Sequence, residues 1–132
     1  MIVADSTLVS GFVFPADDFY KVARAVRAKD SDWRCPELVC AEVRNVGLKH
    51  HKKGEPLDSV ISQCNLAEGS VSISRLPSHS VLSVASEGGL TAYDAEYVAL
   101  ARQLKITLVT SDTEVLKKFP AVAMTPEQFL KK

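Results

Sequence analysis

Residues 90–112 read LTAYDAEYVALARQLKITLVTSD, and this stretch holds the clearest helix of the sequence followed by a buried strand. A helix is predicted over 91–105, because Thr91 is a good N-cap residue and Asp94 follows it three positions later. The apolar run 106–109 contains β-branched residues and predicts a buried strand. A helix followed directly by an apolar strand is typical of α/β domains.

The same alternation extends outward from this stretch in both directions. Further strands are predicted over residues 2–4, 33–35, 71–74 and 121–124. Further helices are predicted over residues 15–29, 36–49, 56–67 and 78–87, with short ones beginning near 111 and 125. Strands that alternate with helices predict an α/β fold with a short, mostly parallel central sheet covered by helices on both faces. We expect residues 1–132 to form one domain, since domains average roughly 150 residues.

Composition excludes several classes of protein. Hydrophobic residues make up 46% of the chain and charged residues 24%, which excludes a disordered or collagen-like protein. The sixteen basic and sixteen acidic side chains balance, so no strongly basic character points to nucleic acid. Three cysteines without a C-x-x-C spacing predict reduced thiols rather than a disulfide framework or a zinc site. Without a membrane span or a signal peptide, we expect a cytoplasmic protein.

Acidic residues follow two of the predicted strands and lie on two of the predicted helices. Asp5 comes directly after strand 2–4, and Asp112 comes shortly after strand 106–109. Ligands of such sheets bind in the crevice beyond the carboxyl ends of the strands, so both acids can lie in one crevice. Asp94 begins the preceding helix, and Glu42 lies on a largely apolar one. An acid beside apolar surface is costly to bury unless it is paired or holds a cation.

Each acid also has an ordinary structural interpretation. Asp94 at the third helical position completes a variant capping box. Asp112 suits the positive end of a helix dipole, where Ser111 and Glu114 fit a capping box of their own. Asp5 can end a strand as a turn residue, and the helical glutamate can face solvent. These interpretations are compatible with a shared crevice for the two helix-start acids.

Carboxylates that converge repel one another, and the cluster then needs protonation, basic partners or a metal ion. Oxygen ligands alone select hard cations such as Mg²⁺ or Mn²⁺. A bound ion of this kind suits phosphodiester hydrolysis, because it activates water and offsets charge on the phosphate oxygens. The residues therefore predict a divalent metal site if the acids meet.

Three stretches carry a resemblance to a known family. They are IVADSTLV (2–9), PELVCAEVRNVG (36–47) and the stretch 90–112, with its pattern Y-D-A-x-Y-x-A-L-A followed by a strand and T-x-D. At these residues the sequence resembles the PIN-domain family, and in particular the small VapC-type toxins of type II toxin–antitoxin pairs. The resemblance covers nearly the whole chain and implies a PIN-like three-layer sandwich.

The resemblance implies an Mg²⁺- or Mn²⁺-dependent endoribonuclease that hydrolyses RNA phosphodiester bonds. Its catalytic and metal-binding acids would be Asp5, Glu42, Asp94 and Asp112. We expect Asp5 and Asp94 to be direct ligands, and the other two acids to act directly or through water. Ser6 and Thr110 are expected to position a carboxylate or a water.

The resemblance also implies partners, namely an RNA substrate, a second copy of the chain and a VapB-type antitoxin. Two alternatives remain open. The first is a stand-alone PIN nuclease of RNA processing or DNA flaps, without an antitoxin. The second is a non-enzymatic α/β binding domain with an acidic pocket.

Residues 50–54, HHKKG, are not part of the family's pattern. His50 and His51 are expected to be exposed near a helix end, where the dipole favours positive charge. An acidic site that holds a polyanion also needs flanking cations. The candidates are Arg24, Arg27, Arg44, Lys49, Lys52, Lys53, Lys117 and Lys118.

Overall fold

The central sheet has five strands, and a computed structural model describes them together with eight helices over residues 1–132. The strands are β1 (Ile2–Ala4), β2 (Trp33–Pro36), β3 (Ser72–Ser74), β4 (Leu108–Val109) and β5 (Ala123–Met124). The helices are α1 (Ser6–Val13), α2 (Tyr20–Lys29), α3 (Leu38–Lys52), α4 (Leu57–Gly69), α5 (Ser78–Gly88), α6 (Ala92–Leu104), α7 (Thr113–Lys118) and α8 (Pro126–Leu130). None of these helices combines the length and apolar character needed to cross a bilayer.

All neighbouring strands are parallel, and their order is β3-β2-β1-β4-β5. The central strand β1 is buried on both faces, and its side chains alternate between two hydrophobic cores. Ile2 and Ala4 pack with α1, α2, α3, α4 and α8, whereas Val3 packs with α5, α6 and α7. In β4, Leu108 joins the core of Val3 and Val109 joins the other. The predicted three-layer α/β sandwich is confirmed, and its sheet is entirely parallel.

The prediction was wrong for the first two helices. We expected one helix over 15–29, but the chain forms α1 directly after β1 and starts α2 only at Tyr20. The Asp17 carboxylate accepts a hydrogen bond from the Phe19 amide, which favours a turn before α2. The β-branched residues and the glycine of α1 give it low intrinsic helix propensity, so its N-cap and its packing stabilise it instead.

The basic segment also differs from the expectation. Helix α3 continues to Lys52, so residues 50–52 are helical rather than a break. His51 is exposed, as expected, but His50 is half-buried and stacks on the ring of Phe14 with the centroids 4.7 Å apart.

The three cysteines and the single tryptophan belong to the core or its margin. Trp33 is fully buried and donates from Nε1 to the Asp30 carbonyl at 2.7 Å. All three cysteines are free; Cys35 and Cys64 are buried and Cys40 is half-buried. Burial raises the pKa of the Cys35 thiol, which donates to the Ala4 carbonyl. The thiols therefore form no disulfide, as the sequence predicted.

The contact between α3 and α4 yields a test of the packing. A Cβ atom added to Gly47 would lie 2.7 Å from Cγ1 of Val60 and 3.2 Å from Sγ of Cys64. Gly47→Ala is expected to destabilise the protein by about 1–3 kcal/mol through overpacking, less the gain of up to about 1 kcal/mol in helix propensity. Urea unfolding followed by Trp33 fluorescence measures the change. Gly69→Ala is the control, because nothing lies within 4 Å of its added carbon; equal stability of the two variants would contradict the packing described.

Candidate active site

The ends of β1 and β4 place two polar side chains side by side. The parallel register pairs Ala4 with Val109, so the residues that follow them, Asp5 and Thr110, are neighbours at the carboxyl edge of the sheet. The Thr110 hydroxyl donates to Oδ2 of Asp5 at 2.6 Å, and the Leu8 amide donates to Oδ1 at 3.0 Å. Asp5 is therefore the N-cap of α1 as well as the end of β1.

Asp5 is an almost fully buried carboxylate, with 9% of its surface exposed. Burial raises its pKa above the ordinary value, and the hydrogen bonds from Thr110 and Leu8 act in the opposite direction. The charge of Glu42 raises its pKa further. No cationic side chain contributes to lowering it.

Asp94 and Asp112 each have the helix-start role that the sequence suggested and also face the same space as Asp5. Oδ1 of Asp112 accepts from the amides of Glu114 and Val115, so Asp112 itself, rather than Ser111, is the N-cap of α7. At the start of α6, the amide of Asp94 donates to the hydroxyl of Thr91, the N-cap residue. Burial, and then the charge of Asp112, raise the pKa of Asp94. A hydrogen bond between the Thr91 hydroxyl and the Asp94 carboxylate acts to lower this pKa.

Glu42 lies on α3, half-buried, and its partner is a residue to which the sequence analysis gave no role. The Tyr97 hydroxyl donates to Oε1 of Glu42 at 2.5 Å. Burial raises the pKa of Glu42, hydrogen bonds from Tyr97 and Ser6 lower it, and the charge of Asp94 raises it. Burial and the Glu42 carboxylate raise the pKa of Tyr97, which keeps its proton. Tyr97 follows Asp94 by three residues, which places both on one face of α6. This spacing is the feature of the sequence from which a role for Tyr97 could have been predicted.

These side chains surround a crevice of about 280 Å³, which we call the acidic crevice. Five of the six predicted site residues line it: Asp5, Ser6, Asp94, Thr110 and Asp112. Glu42 does not line it, but reaches it through Tyr97, which does. No lysine, arginine or histidine lines the crevice.

The carboxylates share the crevice without converging on one point. No three acidic, histidine or cysteine side chains lie close enough together to form one metal-binding group. The donor set nevertheless fits a hard divalent cation, since it consists of carboxylate and hydroxyl oxygens whose negative charge has no cationic partner. Mg²⁺ commonly uses one or two protein carboxylates and keeps several waters, which suits acids arranged around a space.

Comparisons with known proteins agree with this architecture. The family model described as PIN domain matches residues 2–122. The chain is 30% identical over 132 residues to Ribonuclease VapC3 of Pyrobaculum aerophilum, covering 95% of this chain and 98% of that protein. The crystal structure of PAE2754 from Pyrobaculum aerophilum has the same fold, with a TM-score of 0.74 and 24% identity; the match covers 98% of this chain and 92% of that one. The resemblance stated from the sequence is thus confirmed, and the chain belongs to the PIN domain family.

Proposed function

We propose that this protein is an Mg²⁺- or Mn²⁺-dependent endoribonuclease and the toxin of a type II toxin–antitoxin pair. The observation that carries the proposal is the acidic crevice, which Asp5, Asp94 and Asp112 line at the carboxyl edge of a parallel sheet with no cationic side chain in the lining. The 30% identity to a protein named Ribonuclease VapC3 supports RNA as the substrate. A divalent ion held there would supply Lewis acidity toward a phosphate and its attacking water.

Three carboxylates that line the crevice are proposed to hold such an ion, and their hydrogen bonds within the chain differ. Asp5 is held by hydrogen bonds from the Thr110 hydroxyl and from the amides of Leu8 and Ser111, which orient its carboxylate at the crevice, and it is proposed as one direct ligand. Asp94 lines the crevice, with Thr91 as the hydrogen-bond partner of its carboxylate, and is proposed as the second direct ligand. Asp112 has one oxygen committed to the start of α7 and the other free of hydrogen bonds within the chain, so it suits a ligand or a hydrogen-bond acceptor for water.

Glu42 is proposed to act through water rather than directly. Its carboxylate is oriented by Tyr97, and it lies behind the lining of the crevice. A carboxylate with a raised pKa beside a reacting water is suited to accept a proton. Ser6, which borders the crevice and bonds to Glu42, helps to hold that carboxylate in place.

A test of the site compares two first-turn aspartates. Asp94→Asn is expected to abolish divalent-metal-dependent cleavage of RNA, a loss of at least about 100-fold, because it removes a charge that stabilises the bound ion. Asp58→Asn removes a first-turn acid from α4, outside the crevice, and should leave the rate unchanged. Cleavage of total RNA with and without EDTA gives the measurement, with circular dichroism as the folding control. Asp5→Asn should behave like Asp94→Asn; full activity in either variant would reject the site.

A second test asks whether the folded protein binds the ion. Mn²⁺ at about 100 times its dissociation constant should stabilise the wild type by about 2.7 kcal/mol, since it binds the folded state only. Thermal unfolding with and without Mn²⁺ measures the shift, which Asp94→Asn should reduce and Asp58→Asn should not. An unshifted wild type would contradict a preformed metal site.

The same experiment has an expected pH dependence in the absence of metal. The pKa values of Asp5, Glu42 and Asp94 are raised by folding, so the folded state binds protons more tightly than the unfolded state does. The stability that protonation contributes is complete below the ordinary carboxyl range and is lost as pH rises through the raised values, starting near pH ~4. Mn²⁺ should offset this loss by neutralising the ionised acids.

The partners that complete the proposal are a second copy of the chain and a VapB-type antitoxin, as the resemblance to VapC-type toxins implies. The purified chain alone is expected to elute as a dimer, and light scattering on the eluting peak measures its mass. A monomer at micromolar concentration would remove dimerisation from the proposal. A nuclease with no antitoxin encoded beside it would instead favour the stand-alone alternative.

A further inference from the structure

A second cavity adjoins the acidic crevice and has a different character. Its volume is about 300 Å³, and it shares Thr7 and Phe19 with the lining of the crevice. We call it the basic pocket, and its other polar lining residues are Ser10, Asp17, Asp18, Lys49, His50 and Lys53. The two cavities therefore lie on either side of the same pair of residues.

Ser10 is the one buried side chain in the structure whose polar atom lacks a partner. The residue is 1% exposed, and its hydroxyl accepts and donates no hydrogen bond within the chain. Buried hydroxyls are nearly always satisfied, so an unpaired one beside a cavity is available to a water or a ligand in that cavity. Rotation about χ1 is enough to redirect a serine hydroxyl. Ser10 can therefore donate a hydrogen bond to a ligand in the basic pocket.

The cations of the basic pocket are Lys49 and Lys53, which lie at the end of α3. Lys53 belongs to the HHKKG segment, and Lys49 directly precedes it. Lys49 and Lys53 are four residues apart, on one face, and neither forms an ion pair. His50, which also lines the pocket, is stacked on Phe14 and has Nε2 3.7 Å from the Asp17 carboxylate. Lys52, on the same turn, does not line the pocket.

Two carboxylates also border the pocket, and they differ in whether they already have partners within the chain. Asp17 is committed to the Phe19 amide and to His50. Asp18 is exposed and unpaired, and it opposes the two lysines. The pocket thus combines two ammonium groups without ion pairs, an unpaired hydroxyl and two carboxylates, of which that of Asp17 already has partners within the chain.

We propose that the basic pocket binds a backbone phosphate of the RNA strand, next to the phosphate held at the acidic crevice. This inference rests on the proposed function. Acids are the only charged residues that line the crevice, so it repels a polyanion and the strand needs a cationic contact close by. The basic pocket adjoins the crevice, because Thr7 and Phe19 line both. Ammonium groups with a hydroxyl donor match the chemistry of a phosphate diester.

The test measures binding of a short, labelled single-stranded RNA to the full chain by fluorescence anisotropy in EDTA, where no cleavage occurs. Lys49→Gln combined with Lys53→Gln should weaken binding about tenfold and reduce the slope of log K against log salt by about 0.7 for each phosphate that is no longer neutralised. Lys52→Gln removes an equal charge from the same segment and should change the affinity less than about twofold. Asp18→Asn should tighten binding.

Ser10→Ala separates a ligand role from a structural one. Removing an unpaired buried hydroxyl should raise the melting temperature, since the group has no partner to lose. The same variant should weaken RNA binding, because the phosphate loses a donor. If Ser10→Ala is more stable and binds RNA as tightly as the wild type, Ser10 does not contact the RNA. That result would also reject the basic pocket as a phosphate-binding site.

Cleavage of the same RNA in Mn²⁺ distinguishes the two proposals. If the wild type cleaves and the double lysine variant raises KM while kcat is kept, both stand. If the wild type cleaves but the double variant binds and cleaves like Lys52→Gln, the phosphate site is wrong and the nuclease assignment survives. If the wild type does not cleave RNA, the proposed function is wrong, and the assignment of the basic pocket to a neighbouring phosphate is rejected as well.

Discussion

Asp5 places a carboxyl group at the end of the central strand, where water barely reaches it. A carboxylate in such a position is tolerated only with hydrogen bonds or a cation, and the structure supplies the hydrogen bonds from Thr110 and Leu8. One of these bonds ties the end of β1 to the end of β4, and the other starts α1. The acid thus fixes local structure on two sides, and no cationic side chain of the protein is paired with it.

The separation of charge between the two cavities follows from the same constraint. A site that needs carboxylates for metal cannot also carry the cations that attract RNA, because ammonium groups among the acids would neutralise them. The chain keeps cations out of the acidic crevice: no basic residue lines it, while Lys49 and Lys53 border the neighbouring pocket together with Asp17 and Asp18. A net charge of zero over the whole chain is compatible with this local division.

Sequence reasoning predicted the layers of the fold well and the start of the chain poorly. Local signals in the sequence indicate helix α6 and strand β4: Thr91 and Asp94 mark the start of the helix, and the β-branched residues of 106–109 mark the strand. Helix α1 was missed because its β-branched residues and Gly11 disfavour a helix, and its stability comes from packing into the core. The four acids were predicted from their positions relative to strands and helices. The contact from Tyr97 to Glu42 joins residues 55 positions apart, and only the packing of α3 and α6 around the sheet creates it.

The acidic crevice draws its side chains from both sides of the sheet. Asp5 follows β1 at the centre, Asp94 and Tyr97 belong to α6 in one outer layer, and Ser6 belongs to α1 in the other, which also holds Glu42 behind the lining. Detachment of either outer layer would separate Glu42 from Tyr97 and empty the crevice of part of its donors. The complete set of side chains therefore comes together only when both outer layers are docked on the sheet.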